Sequence, residues 1–147
     1  MTNLFIALGL SLAQFVCGSV AVAQDAIPTE PALFQSFGGK PGLVKLVDTL
    51  WEGLMADPRM QPHFRDASPK RVKSKLVEQF CQVLGGGCAY TGDDMKTVHM
   101  GLVISKADFN ALVEDLQNAM DANGIAFRDQ NQLLARLAPM YRDIITK

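Results

Sequence analysis

An all-α domain is the architecture this chain predicts, and three observations carry it. Apolar residues recur at steps of three and four from Leu43 to Ile144, with polar side chains between them. Helix starts are written as Ser68-Pro69 and as Ser105 with Asp108 three residues on. Helix stops are written as Gly85-Gly86-Gly87 and Gly124. Strand signals are scarce.

The elements follow in chain order. Phe34 and Phe37 mark a short apolar piece that stops at Gly38-Gly39. Pro41 sits in the first turn of the next helix, where a missing N–H costs nothing. Its stripe runs through Leu43, Val47, Leu50, Trp51 and Leu54 and ends near Asp57-Pro58. A turn-like segment carries Met60, Pro62 and Phe64. Ser68-Pro69 then opens a helix with Val72, Leu76, Phe80 and Val83 on one face and Lys70, Arg71, Lys73 and Lys75 around it. After the triple glycine, residues 88–92 form an irregular loop. In the short helix that follows, Met95, Val98, His99 and Leu102 fall at i, i+3, i+4 and i+7 and share one face. The helix behind Ser105 buries Phe109, Leu112, Val113, Leu116 and Met120. The last helix carries Leu133, Leu134, Leu137, Met140, Tyr141 and Ile144, with a kink at Pro139.

Length and charge narrow the function. A chain of 147 residues fits one domain with a substantial core. Its formal net charge is −1, with no arginine-rich run and no acidic tail, which argues against nucleic acid as a partner. The N-terminus belongs to targeting rather than to the fold. Leu4 to Val16 is almost continuously apolar, no charged side chain precedes Asp25, and Ala21-Val22-Ala23 places small residues where a signal peptidase reads them. The expected layout is a signal peptide over 1–23, cleaved near Ala23-Gln24, a linker over 24–31 with two prolines, and a domain over 32–147. The expected location is exported, in the periplasm. The alternative is an uncleaved anchor, because Leu4 to Ala23 is long enough to span a bilayer, and membrane contact is expected only in that case.

Cleavage leaves Cys81 and Cys88, separated by a flexible glycine-rich segment. In an exported protein such a pair is expected to form a disulfide, stabilising the domain by roughly 2–3 kcal/mol. Two free thiols are the alternative. Without nearby histidines the spacing makes a poor zinc site.

His99 is one of only two histidines. An imidazole facing an apolar pocket can ligate a haem iron through its free nitrogen. It can equally be a core histidine bonded to a carbonyl, and spacing alone leaves both open.

Several motifs in register resemble the truncated haemoglobins, specifically the group I 2-on-2 globins, over residues 32–147. These are Gly38-Gly39, Asp57-Pro58-Arg59, Phe64, Leu84-Gly85-Gly86, Tyr90-Thr91-Gly92, Met95-Lys96 with His99, and Ala138-Pro139-Met140. The resemblance implies a 2-on-2 helical sandwich around haem b, with His99 as proximal iron ligand. It implies Phe64 against the porphyrin and apolar walls from Val47, Leu50, Met95, Val98, Ile104, Phe109, Val113 and Met140. Lys75 and Lys96 would reach the propionates as charge-assisted donors.

The departures concern the distal side. Many group I members place a tyrosine and a glutamine there, whereas the corresponding residues here are Trp51, Val72 and Leu76. Tryptophan offers a single indole donor and the aliphatic residues offer none. The pocket is therefore expected to be mainly apolar and to hold oxygen weakly. Lys75 is a further candidate, as a distal iron ligand if it loses its proton, and His63 is another.

The implied function is reversible binding of a diatomic gas (oxygen, nitric oxide or carbon monoxide) at iron. A haem redox enzyme of the periplasm, detoxifying nitric oxide or peroxide, is the alternative. Peroxidase chemistry normally wants a distal acid–base side chain, which Trp51, Val72 and Leu76 do not provide. A haem-free helical interaction protein is the third reading. The residues do not specify a redox partner.

Overall fold

Among the described residues, 30–147, the computed structural model contains eight α-helices and one 3-10 turn, with no strand. The signal peptide expected over 1–23 and the linker residues up to 29 lie outside the described residues. The helices are α1 (Glu30–Ser36), α2 (Gly39–Ala56), α3 (Gln61–Phe64), α4 (Pro69–Val83), α5 (Met95–Val98), α6 (Lys106–Ala122), α7 (Phe127–Leu137) and α8 (Tyr141–Ile144), with the 3-10 turn at Ala138–Met140. No helix among the described residues is long and apolar enough to cross a membrane.

The centre of the fold is α2, which packs on both α4 and α6. Its stripe of Leu43, Leu46, Val47, Leu50 and Leu54 is buried almost completely. Burying each such side chain stabilises the fold by about 1.5–3 kcal/mol relative to exposure. Val77, Phe80 and Cys81 of α4, Leu116 and Met120 of α6, and Leu133 of α7 close the same core. The corner between α1 and α2 depends on Gly42. A Cβ there would lie 1.9 Å from the Phe37 carbonyl oxygen, so the two helices approach too closely for any side chain.

Local signals placed most boundaries correctly. The Ser68 hydroxyl accepts from the Arg71 N–H, capping α4. Ser105 and Asp108 form a reciprocal capping box on α6. At the other end of α6 the Ile125 N–H reaches Met120 O at 3.1 Å and the Gly124 N–H reaches Asp121 O at 2.9 Å. That Schellman closure needs the positive φ of 68° at Gly124. Pro139 ends α7 and forces the 3-10 turn before α8.

Three boundaries differ from expectation. The first helix begins at Glu30, so the last two linker residues are helical. The second begins at Gly39, with Pro41 as its third residue, because Gly38 takes the left-handed conformation that turns the chain. The His99 helix is a single turn. It ends at Val98, His99 is its C-cap, and Gly101 at φ +83° turns the chain away. The expected helical relation between Met95 and Leu102 is therefore lost. The Cys81–Cys88 pair is bonded, with Cα atoms 5.7 Å apart, and ties the end of α4 to the loop that leads to His99.

Candidate functional site

The site forms where the loop after α4 delivers α5 and His99. Two clusters hold this loop. Glu78 accepts from the Thr91 N–H at 3.0 Å, the Thr91 hydroxyl at 2.8 Å and the Lys75 amine at 2.8 Å. Hydrogen bonds from Lys75 and Thr91 push the Glu78 carboxyl down to about 2. Nearer His99, the Asp94 carboxylate caps α5 by accepting from the Thr97 N–H at 2.9 Å and its hydroxyl at 2.7 Å. Those bonds hold Asp94 below its ordinary range.

The imidazole itself is oriented. His99 Nδ1 lies 2.7 Å from the Met95 carbonyl oxygen, which can only accept, so the ring proton is assigned to Nδ1. In the neutral tautomer this leaves the lone pair on Nε2, and no described residue bonds to that nitrogen. The same segment is apolar and open: Val98 is 45% exposed and Leu102 40%, with Met100 at 70% and Val103 at 66%. An imidazole whose Nε2 has no partner among the described residues, in a segment of exposed apolar side chains, is the donor set a haem requires. The residues fit the group.

The other expected site residues divide by burial. Leu50 and Ile104 are buried, while Trp51, Phe64, Val72, Leu76 and Met95 are half-buried. Trp51 and Phe64 meet edge to face, 6.0 Å between ring centroids, which locks both rings on one wall. Phe109 meets Tyr141 in the same way at 5.1 Å. A cleft of about 580 Å³ opens beside them, lined by Phe109, Ala138, Pro139, Tyr141 and Arg142. Lys96 is exposed.

The Lys75 amine donates to Glu78 and Thr91, which ties it to the loop. His63 lies 3.6 Å from an Asp108 oxygen, half-buried, and faces that carboxylate.

One functional candidate escaped the sequence reading. Gln79 is only 9% exposed, and its amide donates to the Met95 sulfur at 3.3 Å and the Met140 sulfur at 3.4 Å. Its position seven residues after Val72 and three after Leu76 puts it on their face of α4. That wall is therefore not wholly apolar. The same periodicity reaches Gln79, beside the apolar stripe that runs through Phe80.

The comparisons bear directly on this arrangement. The family model described as bacterial-like globin matches residues 32–146. The chain belongs to the truncated haemoglobins. Among characterised relatives, the group 1 truncated haemoglobin of Mycolicibacterium paratuberculosis is 32% identical over 118 residues, covering 80% of this chain and 87% of that protein. The group 1 protein of Nostoc sp. is 28% identical over 115 residues, 78% of this chain and 98% of that one. Among solved structures, the Fe(III) truncated haemoglobin of Tetrahymena pyriformis superposes with a TM-score of 0.75 at 20% identity, covering 78% of this chain and 98% of that one. At that identity the likeness supports the 2-on-2 fold alone.

Proposed function

We propose that this truncated haemoglobin binds haem b through His99 and reversibly takes up a diatomic gas, oxygen, nitric oxide or carbon monoxide. The observation that carries the reading is the commitment of His99 Nδ1 to the Met95 carbonyl, which presents Nε2 as a ligand of fixed tautomer. The haem, when bound, supplies an iron with a coordination position open to a small gas. The chain does the rest. Phe64, with Trp51 at its edge, forms one apolar wall, Leu50 and Ile104 exclude water, and the exposed Val98 offers apolar surface for the haem to cover. Val72, Leu76 and Met95 extend the wall. Lys96 is an exposed cation suited to a propionate, and Lys75 could serve only by leaving Glu78. Trp51 offers an indole N–H as donor, while Val72 and Leu76 offer none.

Export to the periplasm is part of the same reading, and it is supported by the Cys81–Cys88 bond, which persists in oxidising compartments. A peroxide-consuming enzyme is less well served, because Trp51, Val72 and Leu76 carry no acid–base group.

The test is the absorption spectrum of the purified domain, reduced by dithionite without added gas. A five-coordinate ferrous haem spectrum is expected, converting on addition of carbon monoxide and lost in His99→Ala. A sharp six-coordinate spectrum would point to an internal ligand, with Lys75 examined first. No Soret band after haem addition would overturn the reading.

A further inference from the structure

The amide of Gln79 sits in an apolar wall where an aliphatic side chain of equal volume would avoid its desolvation cost. The residue is nine-tenths buried and its Nε2 has only two thioether sulfurs as partners among the described residues, while its Oε1 is not fully buried. Sulfur is a weak acceptor, so these contacts return little of that cost. What they do is connect. Gln79 belongs to α4, Met95 opens α5, and Met140 closes the 3-10 turn. One side chain therefore bridges three elements at the place where the chain presents His99.

The bridge leads to the imidazole in two steps. Gln79 Nε2 holds the Met95 sulfur at 3.3 Å, and the carbonyl of the same Met95 holds His99 Nδ1 at 2.7 Å. The segment after Met95 is anchored by polar bonds, from Asp94 to Thr97 and from Thr146 to Leu102 and Ile104, while Val98, Met100, Leu102 and Val103 are all exposed. We propose that Gln79 is a positioning residue for the proximal histidine, fixing Met95 so that its carbonyl orients the His99 ring toward iron. This rests on the haem-binding reading above. Groups that orient a ligand from behind set its direction and basicity, and their removal typically weakens binding.

The experiment uses the full domain, loaded with haem, in four forms: wild type, Gln79→Leu, Met95→Leu and the double variant. Gln79→Leu keeps the volume and removes the donor, and Met95→Leu removes the sulfur acceptor. The readouts are the iron–histidine stretching band in the resonance Raman spectrum of the ferrous protein and the rate of haem loss to an apoglobin acceptor. Each single variant is expected to move the band by a similar amount and to speed haem loss about tenfold. The double variant should shift no further than either, because both lesions cut one link. A band unmoved in both single variants, or shifts that add in the double variant, would overturn the proposal. Melting of the haem-free forms shows whether Gln79→Leu still folds, and if it does not, Met95→Leu decides alone. A wild type that binds no haem would instead remove the haem reading.

Discussion

The α2–α4–α6 core and the segment from Met95 to Ile104 are both rich in apolar side chains, yet they are held in opposite ways. In the core each stripe closes on another stripe, and Leu43, Leu46, Leu54 and Met120 have no exposed surface. In the segment the apolar residues Val98, Met100, Leu102 and Val103 face outward, and polar bonds at the two ends do the holding. Asp94 caps the start. At the far end the Thr146 hydroxyl accepts from the Ile104 N–H at 2.9 Å and donates to Leu102 O at 2.6 Å. The core is complete as polypeptide. The segment is a clamped loop whose apolar surface has no partner among the described residues, which is how a binding surface for an apolar group is built.

The largest expected effect tests that contrast directly. Leu54→Ala should cost about 2–5 kcal/mol in denaturant unfolding of the haem-free protein, because its site cannot collapse fully. A Met100→Ser, Val103→Ser double variant should stay within about 0.5 kcal/mol, since neither side chain is packed. Equal losses from the two would erase the distinction.

Next in size is the disulfide that joins the two regions. Replacing Cys81 and Cys88 by alanine should cost roughly 2–3 kcal/mol through the freer unfolded chain. It should also raise amide exchange over residues 88–94 more than in α2. Two alkylatable thiols in protein isolated without reductant would show that the bond is absent from the cell.

The smallest effect concerns a flaw in the core itself. Asp115 of α6 is buried, and its Oδ2 has no hydrogen-bond partner among the described residues. Burial, with Asp57 nearby, raises its carboxyl above the ordinary aspartate value. Below that ordinary value both folded and unfolded chains are protonated and no penalty exists. As pH rises from there through the raised folded value, the fold resists ionisation and stability falls. Asp115→Asn should therefore gain about 1 kcal/mol at neutral pH and nothing in acid. A gain independent of pH would show that packing, rather than charge, is responsible.

Legibility followed the range of the interactions. The caps at Ser68 and Ser105, the closure at Gly124 and the break at Pro139 were all readable, because each involves residues within five positions of one another. The one-turn length of α5 was not. Its apolar periodicity continued to Leu102, but Gly101 and the Thr146 clamp, 42 residues from Ile104, drew the chain into an extended path. His99 stands out as a candidate by its type and apolar neighbours, while the carbonyl that fixes its tautomer emerges only with the coordinates.

By itself, then, the order of residues determined the all-α architecture, the capped ends of α4 and α6 and the family motifs. These depend on hydrogen bonds and side-chain periodicity that act along the chain. Only the tertiary structure decided that Lys75 is engaged by Glu78 and Thr91, that Asp115 is buried without a partner on one oxygen, and that Gln79 meets Met95 and Met140. Each of those depends on which helices come together across the core. A polar side chain's partner is whatever the packing of distant apolar stripes happens to bring within 3 Å or so.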